Sequence, residues 1–320
     1  MTDPTSSRSS ILDEPPPSAD RRIAYGDAPS QFGDLYLPSG SIRRRAPLVI
    51  LLHGGYWRAR YGLGYFGHVA AALADDGIAA WNVEYRRVGE VGGGWPGTFD
   101  DVRAGIAFGR TLHREFEIDT SHVLLLGHSA GGHLALWAVA DLAANEGGRD
   151  GISVVALAPV ADLGDAWARR LSDHAVVGLL GGGPDDWPDR YAIACPSRRL
   201  PLGVPTCVVH GMSDTSVPFD MAEAFVARAR DAGDDVAVTV VEGDAILVQQ
   251  PHHACDVVGL ERTAKSLVAH VAPGDELHLV VLQVEGRVRE IEEGADMVVV
   301  HVDRKSTRLN SSHVKRSRMP

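Results

Sequence analysis

Residues 121–137, "SHVLLLGHSAGGHLALW", join a short apolar run to a segment with helical spacing across the sequence Gly-His-Ser-Ala-Gly. The run predicts a buried strand and the segment after it predicts a helix, so Ser129 falls on the turn between them. In the pattern G-x-S-x-G, this turn lifts the serine above the sheet, near the positive end of the next helix. Ser129 is therefore the candidate nucleophile. The alternative is a serine that only caps the helix.

The same alternation of strand and helix extends in both directions from this stretch. Further apolar runs, each followed by a segment able to form a helix, lie at 47–55, 77–87, 152–160, 205–211 and 236–243. Helical spacing predicts helices at 64–77, 98–116, 130–148, 219–233 and 259–271. Before them, residues 22–38 predict an antiparallel edge hairpin. Continuous apolar strands are typical of a sheet covered on both faces. The predicted fold is therefore a doubly wound, mostly parallel α/β sheet.

The length of the chain predicts one domain with tails. It has 320 residues, of which 45% are hydrophobic, enough to bury a full core. We expect a disordered tail over 1–21 and the α/β domain over 22–272, with an insertion at roughly 161–200 forming a modest cap where substrate is selected. Residues 273–320 are expected to lie outside the domain. They include two alternating strands within 275–302, and their end, "DRKSTRLNSSHVKRSRMP", resembles a non-native extension left by a library adapter.

Composition narrows the class of partner. The net charge of -11 disfavours nucleic acid, which needs a basic face, and so favours a small-molecule substrate. The basic residues near the C-terminus are expected to be an artefact or a disordered arm rather than a binding site. Three cysteines spread over the chain suit a reducing compartment, and no apolar run is long enough to cross a bilayer. We therefore expect a cytoplasmic protein with no membrane partner, and the sequence does not indicate an oligomeric state.

Two further motifs supply candidate partners for Ser129. "HGGYW" at 53–57 follows a predicted core strand, and its glycines can turn backbone N–H groups toward a developing oxyanion. Gly54, Gly55 and the amide of Ala130 are the expected donors. "HGMSDTSVP" at 210–218 places Asp214 after a later strand, where the acid of a Ser-Asp-His series falls in chain order. Asp214 could instead cap the next helix, and Asp162 is the backup acid.

These motifs resemble the α/β-hydrolase fold over residues 22–272. "LLHGGYWRARYG", "WNVEYRRVGEVGGGWPGTFDDV", "GHSAGGHLALW", "APVADL" and "VPTCVVHGMSDTSVP" are similar, in order and spacing, to the HGGxW group of kynurenine formamidase-like and small carboxylesterase-like enzymes. The resemblance implies a serine hydrolase in which Ser129 is the nucleophile and Asp214 the acid. It implies hydrolysis of a small ester or an N-formyl amide, without a metal or cofactor.

The base is where the sequence departs from that group. Its members place a histidine a few residues after the last strand, whereas here residues 240–258 read "VVEGDAILVQQPHHACDVV". His253 is the first choice as base and His252 the second, since a longer loop costs little closure entropy. If neither histidine reaches Ser129, the chain is a catalytically impaired hydrolase-fold protein that binds a small molecule. A metal held by His252, His253 and Cys255 has only weak support, because no second ligand pair accompanies them.

Other side chains have structural interpretations. His53 and His128 are expected to hydrogen-bond the local backbone, and His133 and His210 to be packed residues rather than bases. Four tryptophans are candidates for lining an aromatic pocket, although each could equally be a packing residue. They are Trp57, Trp95, Trp167 and Trp187.

Overall fold

The computed structural model describes residues 15–39, 45–143 and 148–241, together with four short strands further along the chain. The strands are β1 (Arg21–Ala24), β2 (Phe32–Tyr36), β3 (Ala46–Leu52), β4 (Ala79–Val83), β5 (Ile118–His128), β6 (Ile152–Leu157), β7 (Thr206–Gly211), β8 (Val236–Val241), β9 (Leu247–Gln249), β10 (Asp256–Val258), β11 (Arg287–Glu293) and β12 (Val298–Asp303). The helices are α1 (Phe66–Asp75), α2 (Gly97–Gly109), α3 (Ala130–Ala143), α4 (Leu163–Ala168), α5 (Leu171–Leu180), α6 (Pro188–Ala194) and α7 (Phe219–Asp231).

Ten of these strands form one sheet in the order β1-β2-β4-β3-β5-β6-β7-β8-β12-β11. From β4 to β12 the neighbouring strands run parallel, and antiparallel pairs occur toward the two edges. The doubly wound, mostly parallel α/β sheet predicted from the sequence is confirmed, including the edge hairpin formed by β1 and β2.

The central strands are rich in apolar residues because helices cover both faces of the sheet. In β3, Ile50 belongs to the core on the face that carries α2 and α3, whereas Leu51 belongs to the core against α1. Both side chains are completely buried, and burial of each stabilises the fold by about 1.5–3 kcal/mol. Because β3, β5, β6 and β7 are parallel neighbours in that order, the carboxyl ends of β3, β5 and β7 lie at the same end of the sheet, and the three candidate motifs follow them.

Three helices, α4, α5 and α6, occupy the connection between β6 and β7, where the sequence predicts an insertion. The start of α5 departs from ordinary helix geometry. Arg170, Ser172, Asp173 and His174 all have φ between 45° and 58°, the left-handed region that side chains with a Cβ rarely adopt.

Several element boundaries differ from the predictions. The helix predicted at 98–116 ends at Gly109 and is followed by a single 3-10 turn at Leu112–Arg114. The helix predicted at 259–271 lies outside the described residues. Within 275–302, where two alternating strands are predicted, β11 and β12 extend the sheet, with β12 parallel to β8.

Candidate active site

Ser129 occupies the sharp turn between β5 and α3. Its φ is 55°, a left-handed conformation that costs an L-residue about 1–2 kcal/mol. The Ser129 N–H donates to the Leu157 carbonyl at 2.8 Å, and its own carbonyl accepts the His133 N–H at 3.0 Å. The surrounding structure therefore imposes the strained turn, which is the geometry of a nucleophile elbow.

The glycines on either side of Ser129 are required by space. A Cβ added to Gly127 would lie 2.2 Å from the Gly131 carbonyl oxygen. A Cβ on Gly131 would lie 1.9 Å from the Leu52 carbonyl oxygen at the end of β3. Each contact is closer than van der Waals packing allows, so the elbow and the end of β3 touch backbone to backbone.

The loop after β3, here called the oxyanion loop (His53–Arg58), lies against the elbow. A Cβ on Gly54 would be 2.8 Å from the His128 carbonyl oxygen. The Gly54 N–H donates to the hydroxyl of Tyr65 at 2.5 Å, and that hydroxyl is 3.1 Å from His128 Nδ1. The Gly54 amide, one of the three predicted oxyanion donors, is thus already engaged by Tyr65.

The other two predicted donors are placed differently. The Gly55 amide makes no hydrogen bond within the described part of the chain, and Gly55 has a φ of 107°. Ala130 is the first residue of α3, so its N–H has no acceptor inside the helix. Gly55 and Ala130 therefore retain the donors that an oxyanion could use.

A buried charged network that the sequence motifs do not reveal supports the oxyanion loop. His53 Nδ1 is 2.8 Å from the Gly54 carbonyl oxygen, as expected for a local backbone contact, but Nε2 is 2.8 Å from Glu84 Oε1. Glu84 also accepts from the Leu63 N–H and faces Arg87. Although burial alone would raise the pKa of Glu84, its neighbours His53 and Arg87 lower it overall. Glu84 is thus held as a carboxylate beneath the loop.

The histidine that precedes Ser129 is neutral at pH 7. Burial lowers the pKa of His128 to about 4, with a smaller effect from His210. Its hydrogen-bonding partner is the Tyr65 hydroxyl rather than local backbone. Burial also lowers the pKa of His133 to about 4, while its Nε2 contacts the Ala194 carbonyl oxygen at 2.9 Å. Both rings are packed groups at neutral pH.

Asp214 lies in the loop after β7, here called the acid loop (Met212–Pro218). Its Oδ1 accepts the N–H groups of Ser216 and Val217 at 2.8 and 2.9 Å. Its Oδ2 is 3.7 Å from Nε2 of the buried His210, which itself donates to the Val217 carbonyl oxygen. These contacts fix the carboxylate in one orientation.

Asp162, the backup acid, has a structural role instead. Its Oδ1 accepts the N–H groups of Gly164 and Asp165, each at 3.0 Å, and so caps α4. Its Oδ2 accepts from Arg228 on α7 at 2.9 Å. Both oxygens are therefore used to join α4 to α7.

The remaining candidates are dispersed or outside the described residues. Trp57 is fully buried and packs edge-on against His133, whereas Trp95 packs on Phe99 and Trp187 lies exposed beneath Arg190. Trp167 packs at the periphery of the core. His252 and His253 fall between β9 and β10 in the sequence, outside the described residues, as does Cys255.

The elbow and the loops beside it are matched by a known family. The sequence model of the BD-FAE family, an α/β-hydrolase esterase family, matches residues 33–228. The chain belongs to the BD-FAE family. The match contains Ser129, the oxyanion loop and the acid loop, and it ends within α7.

Curated relatives of this BD-FAE protein are named as esterases. It is 30% identical over 226 residues to the esterase LipC of Mycobacterium tuberculosis, covering 66% of this chain and 55% of that protein. It is 26% identical over 249 residues to a probable isoprenylcysteine alpha-carbonyl methylesterase of Oryza sativa subsp. japonica, covering 72% of this chain and 59% of the relative. The chain thus spans little more than half the length of these relatives.

Solved structures show the same fold. A truncated carbohydrate esterase from gut microbiota superposes with a TM-score of 0.60 at 20% identity, covering 72% of this chain and 91% of that one. An inhibited esterase B from Lactobacillus rhamnosis gives a TM-score of 0.59 at 23% identity, covering 72% of this chain and 78% of that one. The predicted resemblance to α/β-hydrolases is therefore confirmed. Across the described residues, no helix is long and apolar enough to span a membrane.

Proposed function

We propose that this BD-FAE protein is a serine hydrolase of the carboxylesterase type that cleaves small esters. The observation that carries the proposal is the elbow: Ser129 is held at a φ of 55° between two glycines where an added Cβ would collide with backbone atoms, directly against the oxyanion loop. Such a turn is costly and serves to present a side chain above the sheet. The esterase names of the curated relatives support the same reaction class.

In the proposed mechanism, the Ser129 hydroxyl attacks the ester carbonyl carbon while a histidine takes its proton. The ester C–O bond then breaks, and the histidine gives that proton to the departing alcohol. Water releases the acyl group in a second, matching step. The amides of Gly55 and Ala130 stabilise the negative charge on the tetrahedral oxygen, each contributing about 3 kcal/mol. The Gly54 amide, committed to Tyr65, holds the loop instead. No step requires a metal or cofactor.

The base is proposed to be His253, or else His252, with Asp214 orienting its ring and stabilising the imidazolium. The histidines near the elbow have other partners. His53 is bound at both ring nitrogens, and His128 contacts Tyr65 with its pKa lowered to about 4. A proton acceptor from the segment after β8 is therefore the simplest completion of the triad.

An N-formyl amide would pass through the same acyl-enzyme chemistry and remains a proposed substrate on the HGGxW resemblance alone. The names of the relatives favour an ester. We further propose that α4, α5 and α6 act as the cap that selects the acyl or alcohol group, because they fill the connection between β6 and β7. A cytoplasmic location likewise stays a proposal.

The first test is intact-mass labelling of the purified protein with a fluorophosphonate, a reagent that reacts with activated serines. We expect one adduct in the wild type and none in Ser129→Ala. Turnover of short-chain p-nitrophenyl esters should disappear in the same variant. His253→Ala and His252→Ala then identify the base by loss of labelling. A folded wild-type protein without an adduct would contradict the proposal and favour a small-molecule binding module.

A further inference from the structure

The oxyanion loop contains a strained turn made of two large aromatic residues. The Arg58 N–H donates to the Gly55 carbonyl at 3.1 Å, which closes a four-residue turn with Tyr56 and Trp57 at its centre. Their φ values are 49° and 57°. Turns with two positive φ values favour Asn and Gly, since a Cβ is crowded there. The turn therefore holds two bulky side chains at positions where small residues would be easier.

Both aromatic residues belong to the hydrophobic core, and Tyr56 also has a polar partner. Trp57 is completely buried in the core, with its ring 5.1 Å from that of His133. Tyr56 is also buried, but its hydroxyl has a definite partner outside the loop. It donates to the Ser216 carbonyl oxygen at 2.6 Å, across 160 positions of sequence.

Ser216 belongs to the acid loop, and its two backbone polar groups face different partners. Its carbonyl accepts from Tyr56, while its N–H donates to Asp214 Oδ1 at 2.8 Å. Asp214 is therefore connected to Tyr56 through one residue. Tyr56 directly follows Gly55, whose amide is a proposed oxyanion donor. A short chain of contacts therefore joins the oxyanion loop to the acid loop.

We propose that Tyr56 is a positioning residue that fixes the acid loop, and with it Asp214, relative to the oxyanion loop. This inference rests on the proposed function, because it assigns Tyr56 an effect on the triad. Tyr56 acts through Ser216 and does not touch the reacting atoms. A loop carrying the acid must be held closely, since small displacements of a catalytic group cost large factors in rate.

The test compares Tyr56→Phe with Tyr36→Phe as a matched control. Each tyrosine is 4% exposed and donates to a backbone carbonyl, Tyr56 to Ser216 and Tyr36 to Pro17 in the N-terminal segment. Two quantities are measured: amide hydrogen exchange of the peptide covering 212–218, and the second-order rate of fluorophosphonate labelling. In Tyr56→Phe we expect faster exchange in that peptide and labelling slowed about tenfold, the effect of one lost hydrogen bond. Tyr36→Phe should change neither.

The exchange measurement tests the coupling even if the proposed function fails. Unchanged exchange at 212–218 in Tyr56→Phe would overturn the inference whether or not the wild type is labelled. Faster exchange with an unchanged labelling rate would also overturn it, because the loop would then move without affecting the triad. A wild type that is never labelled refutes the assignment of Tyr56 to a triad, together with the proposed function, while the exchange data still show whether the loops are coupled.

Discussion

Gly131 shows how closely the nucleophile turn and the neighbouring strand approach. The position its Cβ would occupy lies 1.9 Å from the Leu52 carbonyl oxygen and 2.5 Å from that of His53. Both obstacles are backbone atoms, which cannot rotate away as a side chain can. The motif glycine is thus a requirement of packing between β3 and α3, in addition to its place near Ser129.

We predict that Gly131→Ala lowers the free energy of unfolding by about 3 kcal/mol, the upper part of the range for overpacking. The matched control is Gly64→Ala, where an added Cβ has no atom within 4 Å. That substitution should change stability by less than about 1 kcal/mol. Urea denaturation of both variants measures the difference, and equal midpoints for the two would contradict the steric argument.

Buried histidines such as His133 make the free energy of unfolding depend on pH. Burial lowers the pKa of His133 from 6.5 to about 4, so the unfolded chain binds a proton between these values that the folded chain does not. The free energy of unfolding is therefore highest above pH 6.5, where His133 is neutral in both states. It decreases as the pH falls from 6.5 toward 4. Each such group changes the unfolding free energy by about 1.4 kcal/mol per pH unit inside that window.

We predict that His133→Gln reduces the acid sensitivity of the fold. Glutamine can still donate to the Ala194 carbonyl, which His133 Nε2 contacts at 2.9 Å, but it does not titrate. Between pH 6 and pH 4.5 the unfolding free energy of the variant should fall less steeply than that of the wild type, by about 1.4 kcal/mol per unit. Denaturation curves of the wild type and the variant at several pH values in this range measure the two slopes. Parallel pH profiles would show that the pKa of His133 is not lowered in the folded state.

At the scale of elements, the two acids predicted from sequence differ in what they hold. Asp214 accepts the N–H groups of Ser216 and Val217 within the acid loop, whereas Asp162 caps α4 and binds Arg228 on α7. Removing a helix cap costs about 1 kcal/mol of stability.

We predict opposite outcomes for the two alanine variants. Asp162→Ala should lower the unfolding free energy by about 1 kcal/mol and leave the rate of fluorophosphonate labelling within about twofold of wild type. Asp214→Ala should slow labelling by about 10⁴-fold, as expected when the orienting acid of a triad is lost. Labelling that survives in Asp214→Ala and fails in Asp162→Ala would assign the acid to Asp162.

The elements were predictable to the extent that local sequence determines them. Apolar runs located β3 to β8, and the glycine pattern located the elbow, because strand burial and turn geometry act over a few residues. Long-range contacts were not predictable in this way. The bond between Tyr56 and Ser216 joins residues 160 positions apart, and the engagement of the Gly54 amide by Tyr65 depends on how a loop folds back. The left-handed start of α5 involves no glycine that could have signalled it.

At the scale of the whole molecule, both outer strands of the ten-stranded sheet carry charged residues. The β1 edge carries Arg21 and Arg22, and charged side chains discourage pairing with another chain. On the opposite side, β8 reads "VAVTVV", an uncharged apolar strand that is covered by β12 in parallel pairing from Val298↔Thr239 to Val300↔Val241. The outermost strand there is β11, whose sequence "RVREIEE" is rich in charge. Because β12 pairs with β8 and β11 pairs with β12, the apolar β8 is not the outermost strand of the sheet.

We predict that a chain ending at residue 286, which lacks β11 and β12, self-associates at concentrations where a chain ending at 303 does not. Its exposed β8 would offer unpaired N–H and C=O groups on an apolar strand, the usual template for edge-to-edge pairing. Sedimentation velocity of the two chains measures the effect. Ala237, an exposed residue of β8, provides the matched control, because Ala237→Lys in the shorter chain places a charge on the open edge and should restore the smaller species. Identical sedimentation of the two chains would mean that β8 needs no cover. Self-association that persists in Ala237→Lys would show that a surface other than the β8 edge mediates it.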